Sequence, residues 1–342
     1  MFPRSQIPEG PLELTAYTVE SLCAAKMFSS SAHDSDGGQS VSGDRFNDNF
    51  STTRNLTSVP PDPTAQLDPM KRSHVPLKVP RSEGGLRTRG LYKSNLTYPL
   101  VTVITVTYNS GPRLEETIFS VLNQTYSNIE YIIIDGGSND GTLDIVKRYD
   151  HAIDYWVSAP DRGIYDAMNK GIRLSSGEWL NFLNAKDTFG EPGAIESVAT
   201  NHFHGDAKFI YSDVLLSNGK NTALHRYKCD HRRLIINHQA SIYRKSLHVE
   251  HGLYIVAPKL TISDYLFFSL IDQADYQKSD IPIAIYDTTG VSQSQRSLEQ
   301  KFIVDYLLNG MSKTKFSMYF HLYYYYRGTK SAIMQLLGRS SP

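Results

Sequence analysis

The sequence predicts an α/β fold built on a mostly parallel central sheet. Four segments rich in β-branched and aromatic residues are typical of strands buried on both faces, namely "LVTVITVTY", "IEYIIID", "IDYWVS" and "EWLNFL". Helical patterns separate these segments along the chain. Strand–helix alternation at this spacing favours parallel strands that are joined by right-handed crossovers.

The helices between these strands have recognisable ends and faces. After the first strand comes "NSGP", where Ser110 is a candidate N-cap and Pro112 suits a first helical turn. A second helix is expected over 142–149, and a third ends near Gly177. The side chains expected to face the core are Leu114, Ile118, Val121 and Leu122 in the first helix and Ile164, Met168 and Ile172 in the third.

The pattern changes after Asp187 to weaker, mixed strands. "KFIYSDVLL" predicts one strand with Asp213 inside it, and "APKLTISDYLFFSLI" predicts a helix. The inner face of that helix is expected to carry Leu266, Phe267, Leu270 and Ile271. We therefore divide residues 99–300 into a first half, 99–190, and a second half, 191–300.

The two ends of the chain differ in composition from this middle part. Segments such as "SSSAHDSDGGQSVSGDRFNDNFS" contain too little apolar surface to offset chain entropy. Residues 1–98 are therefore predicted to be a disordered or low-complexity extension, with a possible short helix at 11–28. Residues 301–342 are predicted to be a helical, aromatic and basic tail.

Composition excludes several classes of protein. The 35 basic and 35 acidic residues balance, whereas a nucleic-acid binder is expected to have a basic excess. No apolar run reaches the roughly 18 residues of a transmembrane helix, and no signal-peptide pattern is present. Cys23 and Cys229 lie in regions of different character, so a disulfide is not expected and a cytoplasmic location is the default.

Polar side chains follow the strands of the predicted sheet. Ligands of such sheets bind beyond the carboxyl ends of the strands, which places Tyr108, Asn109, Asp135 and the turn 184–187 on one rim. The first strand–helix turn lacks the G-x-G-x-x-G of dinucleotide-binding proteins. Two carboxylates on this rim suit a nucleotide diphosphate with a divalent cation. Each carboxylate taken alone could equally cap a turn.

Two stretches carry a family resemblance, and together they cover roughly residues 100 to 190: "VTVITVTYNSGPRLEETIFSVLNQTYSNIEYIIIDGGSNDGT" and "PDRGIYDAMNKGIRLSSGEWLNFLNAKD". They resemble the family 2 glycosyltransferases of the GT-A fold, a Rossmann-like fold of nucleotide-diphospho-sugar transferases. They are most similar to the bacterial branch that builds exopolysaccharide, colanic-acid and O-antigen units. The resemblance implies a glycosyltransferase that takes its sugar from a nucleotide-sugar donor, typically a UDP-sugar.

The resemblance also implies roles for individual residues. Asp187 would end the family's metal motif and hold Mn²⁺ or Mg²⁺ with the donor. Lys186 departs from the family, which often has Asp or Gly there. Its ammonium group would either replace part of the cation's charge on the diphosphate or point to solvent. The positions that match the donor-binding motifs are Thr107, Tyr108 and Asn109 at the nucleoside pocket, Asp135 at the base, and Asp161 and Arg162 at the ribose or phosphates.

The second half of the domain resembles the family's acceptor side. "SDYLFF" matches the segment that carries the catalytic base, which implies that Asp264 removes the proton of the acceptor hydroxyl. An aspartate at a helix start is also a common N-cap or dipole partner. "INHQASIYRKSLHVEHGLY" implies that His238 and Gln239 shape the acceptor pocket, although His238 could be an ordinary core histidine. "YDTTGVSQS" resembles a loop that would cover the diphosphate.

The tail and the overall activity leave alternatives open. A basic, aromatic helix suits the inner surface of the plasma membrane and thus a glycan or lipid-linked acceptor, but it could equally pack on the domain. One alternative function is a catalytically weakened nucleotide-sugar-binding protein. Another is a sugar nucleotidyltransferase, which needs a Gly-rich basic loop of which "TYNSGPRL" is a poor version.

Overall fold

A computed structural model of the chain describes residues 50–59, 81–93, 97–217, 224–288, 295–319, 321–322 and 325. The expected helix at 11–28, Cys23 and most of the tail beyond residue 319 lie outside the described residues. Cys229 is buried as a free thiol.

The described residues form strands and helices in the alternation that the sequence predicts. The strands are β1 (Leu56–Thr57), β2 (Ser82–Gly84), β3 (Tyr92–Lys93), β4 (Val101–Thr107), β5 (Ile129–Asp135), β6 (Tyr155–Ser158), β7 (Trp179–Phe182), β8 (Thr188–Phe189), β9 (Phe209–Ser212), β10 (Val214–Ser217), β11 (His225–Tyr227), β12 (Ser241–Arg244), β13 (Tyr276–Ser279) and β14 (Ala284–Asp287). The helices are α1 (Arg113–Leu122), α2 (Thr142–Arg148), α3 (Ile164–Leu174), α4 (Ala194–His202), α5 (Ser246–His251), α6 (Ser263–Ser269) and α7 (Gln295–Leu307).

A central sheet of eight strands has the order β13-β9-β12-β7-β4-β5-β6-β2. Its middle strands, β7, β4, β5 and β6, are mutually parallel, while β12 and β2 run antiparallel to their neighbours β7 and β6. The expectation of a mixed α/β fold with a largely parallel sheet is confirmed. A second sheet of four strands has the order β11-β10-β14-β8, with β8 from the end of the first half and the other three strands from the second half.

The core follows the predicted helix faces with a few exceptions. Every residue of β4 and β5 is buried, as expected of strands covered on both faces. Helix α1 buries its predicted apolar face, but its N-cap residue is Pro112, so the expected cap at Ser110 is wrong. Ile164 and Leu270 are 48% and 46% exposed, because each lies at the end of a helix rather than over the sheet.

The expected single strand around Asp213 is interrupted. Residues 209–212 pair in the central sheet, whereas 214–217 pair in the second sheet, so Asp213 marks the crossing between them. Its buried carboxylate accepts hydrogen bonds from Arg226 Nε and Cys229 N, both 2.9 Å away. A polar residue is therefore satisfied at the point where the strand changes sheets.

The prediction that residues 1–98 lie outside the fold is wrong for 82–93. Strand β2 adds an antiparallel edge to β6, and Leu86 is buried. Arg87 pairs with the buried carboxylate of Glu130 and donates to the carbonyl of Leu174 at 2.7 Å. Composition alone did not identify this segment as part of the fold, because a few polar contacts rather than an apolar run hold it against the sheet.

A second buried ion pair ties the same segment to the sheet. Lys93 Nζ lies 3.6 Å from Asp154 Oδ1, and both side chains are less than 5% exposed. Burial raises the pKa of Asp154 to about 6, although Lys93 opposes that effect. Thr52, further upstream, donates to the carbonyl of Ala152 at 2.6 Å. Residues preceding the predicted domain thus supply counter-ions to two of its buried acids.

The last described helices leave apolar residues at the surface. Leu298, Ile303 and Leu307 of α7 are 44%, 46% and 68% exposed. Across the described ranges, no helix combines the length and the hydropathy that crossing a bilayer requires.

Candidate functional site

The carboxyl ends of β4 and β5 form one side of a rim. Thr107 ends β4 and donates through Oγ1 to Ser110 Oγ at 2.8 Å. Tyr108 follows with its ring 63% exposed. Asn109 has a φ of 49°, a left-handed conformation that Asn adopts more readily than most residues, and its Oδ1 accepts from Asn139 N at 3.0 Å. This hydrogen bond joins the loop after β4 to the loop after β5.

Asp135 ends β5 and is almost completely buried. Its carboxylate accepts hydrogen bonds from Gly137 N at 3.2 Å, Ser138 N at 3.0 Å and Ser158 Oγ at 2.6 Å. These contacts fix the loop after β5 against β6. These hydrogen bonds show that Asp135 organises the loop after β5. Its contact with a nucleobase stays a prediction.

Gly136 allows Tyr108 and Asp161 to approach the rim together. A Cβ at this position would lie 2.7 Å from Asp161 Oδ2 and 3.3 Å from Tyr108 Cδ2. Burial raises the pKa of Asp161, while a hydrogen bond from Gly163 N opposes the effect. Sequence patterns missed Gly136, although a glycine directly after a buried strand is the signal that identifies a close approach.

Arg162 stands apart from this cluster. Its side chain is 77% exposed and pairs at 3.1 Å with Asp166, in the first turn of the helix α3 that follows it. Arg162 therefore follows Asp161 in sequence, but its side chain pairs with Asp166 rather than with the groups at the rim.

The turn after β7 explains the residue before Asp187. Lys186 has a φ of 85°, and its backbone N–H donates to Thr117 Oγ1 at 2.9 Å. Glycine adopts this conformation without steric cost, which gives a physical reason why a related sequence would have Gly here. The backbone geometry of the turn, and not only the charge of the side chain, constrains this position.

Asp187 is 3% exposed and held on both carboxylate oxygens. Oδ1 accepts from Asp287 N at 2.8 Å, and Oδ2 accepts from Gln239 Nε2 at 2.8 Å. Burial raises the pKa of Asp187 to about 7, and these two hydrogen bonds only partly oppose that rise. Asp287 in turn pairs with Arg113 of α1. The Asp187 carboxylate is therefore held by two distant parts of the chain, and the pair between Asp287 and Arg113 connects one of them to α1.

His238, the neighbour of Gln239 in sequence, reaches Asp264. His238 Nδ1 lies 3.0 Å from Asp264 Oδ2, and Nε2 lies 2.9 Å from Asn184 Nδ2. Tyr165 donates to the other oxygen of Asp264 at 2.7 Å. Burial alone would raise the pKa of Asp264, but the hydrogen bonds from His238 and Tyr165 lower it below its usual value.

Asp264 is thus not the cap of its own helix. Helix α6 begins after Ile262, without a side-chain hydrogen bond at the cap. Instead, the carboxylate of Asp264 is 21% exposed and lines a cleft of about 440 Å³ together with His238 and Gln239. The remaining wall combines apolar side chains, several of them from β10 and α6, with polar groups that include Arg233 and Lys301.

The structure therefore connects Asp187 and Asp264 through two consecutive side chains, Gln239 and His238. Tyr165 and Asn184 complete this arrangement, and the sequence analysis assigned neither of them a role. Both fall inside the quoted motifs, in "DRGIYDAMNKG" and "NAKD". Their strand-end and helix-start positions are a signal that could have identified them.

The surroundings of Asp187 fit a hard cation shared with a ligand. Asn184 Oδ1 and Gln239 Oε1 are buried amide oxygens without a hydrogen-bond partner among the described residues. Hard cations take oxygen ligands, and Mg²⁺ is often bound by one or two carboxylates plus substrate phosphates. Within the same described residues, no cluster of three or more His, Cys, Asp or Glu side chains forms a complete protein cage. One carboxylate with amide oxygens nearby suits a site in which the protein and the substrate phosphates bind the cation together.

The strand order and the position of the rim define the GT-A class of fold. A structure of S. aureus TarS in complex with UDP-GlcNAc is similar to this chain with a TM-score of 0.51 and 18% identity, over 61% of this chain and 65% of that one. Residues 102–255 match the family model described as glycosyl transferase family 2. The chain therefore contains a family 2 glycosyltransferase domain, and Asp264 lies just beyond the matched residues.

Two curated relatives come from Mycobacterium tuberculosis. An uncharacterized glycosyltransferase is 43% identical over 28% of this chain and 37% of its own length. A PGL/p-HBAD biosynthesis glycosyltransferase is 32% identical over 46% of this chain and 63% of its own length. The chain thus spans less than two-thirds of the relatives that it matches.

Proposed function

We propose that this chain is an inverting glycosyltransferase that moves a sugar from a nucleotide-sugar, typically a UDP-sugar, to a glycan or lipid-linked acceptor in cell-surface polysaccharide synthesis. The observation that carries the proposal is that two consecutive residues, Gln239 and His238, hydrogen-bond to Asp187 and Asp264 respectively. Inverting transfer needs a cationic side for the leaving diphosphate and a carboxylate base for the incoming alcohol. A cation held by Asp187 would supply the first, and Asp264 would supply the second.

The donor is proposed to bind along the rim formed by β4 and β5. Tyr108 offers an exposed ring for the nucleoside, and Asp161 lies beside it across Gly136. Thr107, Asn109 and Asp135 hold the loops that carry these groups, and the exposed Arg162 is free to turn toward the phosphates.

The cation site is proposed at Asp187. Mn²⁺ or Mg²⁺ held there with the donor would supply positive charge to the leaving diphosphate. The chain's own contribution is a carboxylate that Gln239 and Asp287 keep in one position. Lys186 supports the turn through its backbone, and its ammonium group can add charge from the same side.

The base is proposed to be Asp264. Its lowered pKa keeps the carboxylate ionised at neutral pH. The acceptor hydroxyl gives its proton to Asp264, its oxygen bonds to the anomeric carbon, and the bond from that carbon to the diphosphate breaks. No covalent intermediate on the protein is needed. His238 and Gln239 line the cleft in which the acceptor would lie.

The acceptor side combines apolar and cationic groups. The cleft wall includes Leu216, Ile262 and Phe268, together with Arg233 and Lys301. Such a lining suits an acceptor with an apolar or anionic part next to its hydroxyl. The exposed apolar residues of α7 continue from Lys301 and would allow contact with the inner surface of the plasma membrane.

The names of similar proteins support the class of reaction. The mycobacterial relative is a biosynthesis glycosyltransferase, and the TarS structure contains UDP-GlcNAc. Asp135, Asp187 and Asp264 are all held by specific hydrogen bonds. This ordered arrangement favours an active transferase over a catalytically weakened nucleotide-sugar-binding protein.

A thermal-shift screen of UDP-, GDP- and dTDP-sugars with and without Mn²⁺ tests the proposal. We expect at least one UDP-sugar to raise the melting temperature, and Mn²⁺ to increase that effect in wild type but not in Asp187→Asn. Stabilisation by nucleoside triphosphates alone would instead favour a nucleotidyltransferase. Flotation of the full chain with vesicles that contain anionic lipid tests the membrane contact, and protein that stays at the bottom would contradict it.

A further inference from the structure

We propose that His238 and Tyr165 are positioning residues for Asp264, with His238 acting as a hydrogen-bond donor to its carboxylate rather than as the base. This inference rests on the proposed function, since it takes Asp264 as the group that accepts the proton. It assigns His238 a different task from shaping the acceptor pocket, and it gives Tyr165 its first role.

The tautomer of His238 follows from its two partners. A carboxylate only accepts hydrogen bonds, so His238 Nδ1, at 3.0 Å from Asp264 Oδ2, carries a proton. Nε2 then has a lone pair, which accepts from Asn184 Nδ2 at 2.9 Å. Asn184 thereby fixes both the ring orientation and the tautomer.

The two donors divide the carboxylate between them. Tyr165 occupies one oxygen of Asp264 at 2.7 Å, and His238 occupies the other. Burial raises the pKa of Tyr165 well above its usual range, and the nearby Asp264 adds to this effect, so the phenol stays a donor. The backbone N–H of Tyr265 also donates to this carboxylate, and because a carboxylate has about four acceptor positions, one lone pair is left for the acceptor's proton.

The proton balance then excludes His238 as the final acceptor. The acceptor O–H bond breaks, its proton goes to Asp264, and the new glycosidic C–O bond replaces the bond to the diphosphate. His238 cannot take that proton at Nδ1, which already carries one, and Nε2 faces Asn184 away from Asp264. His238 therefore holds the ionised carboxylate and favours its charged form.

Tyr165 also connects the base to the donor side. It is the second residue of α3, and the loop just before that helix carries Asp161 and Arg162. A donor that orders this loop would act on the orientation of Asp264 through Tyr165. The other titratable groups near Asp264 include Tyr243, Tyr254 and Tyr265, and Arg233 and Lys301 line the same cleft.

The direct test is a pH titration of the Asp264 carboxyl by ¹³C NMR in the full chain, assigned with Asp264→Asn. We expect His238→Leu to raise the pKa of Asp264 by about one to two pH units, as loss of one hydrogen bond to a charged group implies. His238→Asn keeps a donor where Nδ1 lies and should restore most of the wild-type value. Tyr165→Phe should raise the pKa through the other oxygen.

The rate of UDP-GlcNAc hydrolysis, in which water is the acceptor, provides a second test when it is measured as a function of pH. In His238→Leu, the acid limb of the plot of kcat against pH should move to higher pH together with the pKa of Asp264. In His238→Asn, it should return towards its wild-type position. An unchanged pKa of Asp264 in both His238→Leu and Tyr165→Phe would overturn the inference. Absence of any turnover in wild type would count against the proposed function or this donor, while the NMR result would still decide the inference.

Discussion

Gln239 donates a hydrogen bond of 2.8 Å to Asp187, and this contact links the two halves of the site. Asp187 follows a strand of the first half, while Gln239 precedes β12 of the second half, next to His238 and its contact with Asp264. Two carboxylates that are held by adjacent side chains cannot move independently. Under the proposed function, the geometry of transfer would therefore depend on the short segment that carries His238 and Gln239.

The first prediction concerns the segment that precedes the family match. Replacing Arg87 with Leu leaves Glu130 buried without its partner, so we expect the free energy of unfolding to fall by about 3–5 kcal/mol. Arg89→Leu breaks the half-exposed pair with Asp150 and should cost less than about 1 kcal/mol. Urea denaturation of both variants measures the difference. Equal losses would show that Arg87 is not a structural counter-ion.

The second prediction concerns the left-handed turn at Lys186. Glycine fits a φ of 85° without strain, so Lys186→Gly should unfold at the same free energy or up to about 1 kcal/mol higher. Lys186→Val should lose about 1–2 kcal/mol, because a β-branched side chain is disfavoured there. Denaturant titration compares the two. A valine variant as stable as wild type would contradict the backbone account of this position.

The third prediction concerns the close approach at Gly136. A Cβ in Gly136→Ala would meet Asp161 Oδ2 at 2.7 Å, and the flexible carboxylate would move away. We therefore expect UDP affinity to fall roughly tenfold, equivalent to about 1.4 kcal/mol, with little change in stability. Gly193→Ala is the matched control, since its Cβ would have its nearest contact at 3.9 Å. Calorimetric titration with UDP should show unchanged affinity in the control only.

The fourth prediction concerns the buried imidazole of His248. Burial lowers its pKa to about 4, and the ring contacts Tyr243 Oη at 3.0 Å. The unfolded chain therefore binds more protons than the folded chain between pH 6.5 and 4. Stability from this residue is complete above pH 6.5 and falls as the pH drops, by up to about 3 kcal/mol.

The variant His248→Gln isolates this contribution. Its amide can still donate to a carbonyl but does not titrate in this range. The difference in unfolding free energy between wild type and variant should shrink steadily from pH 7 to pH 4. A constant difference over that range would show that His248 is protonated equally in both states.

The sequence predicted the parallel core because β4, β5 and β7 are continuous runs rich in β-branched and aromatic residues, a local pattern that can be recognised without knowledge of distant contacts. It also placed Asp187 and Asp264 at a strand end and a helix start. Their contacts could not be predicted, because non-local packing brings Gln239 to Asp187 and Tyr165 to Asp264. The same reason explains why Arg87 and Lys93 were placed outside the fold, since only the folded chain brings them to Glu130 and Asp154.

The most direct test of the account compares Asp187→Asn with Asp264→Asn in two assays on the same preparations. UDP binding is measured with and without Mn²⁺, and release of UDP from a UDP-sugar is measured over time. We expect Asp264→Asn to keep Mn²⁺-dependent UDP binding but to lose turnover by about 10²–10⁴-fold, and Asp187→Asn to lose the effect of Mn²⁺ on binding. Near-normal turnover in Asp264→Asn, or unchanged Mn²⁺ dependence in Asp187→Asn, would contradict the assignment of these two carboxylates.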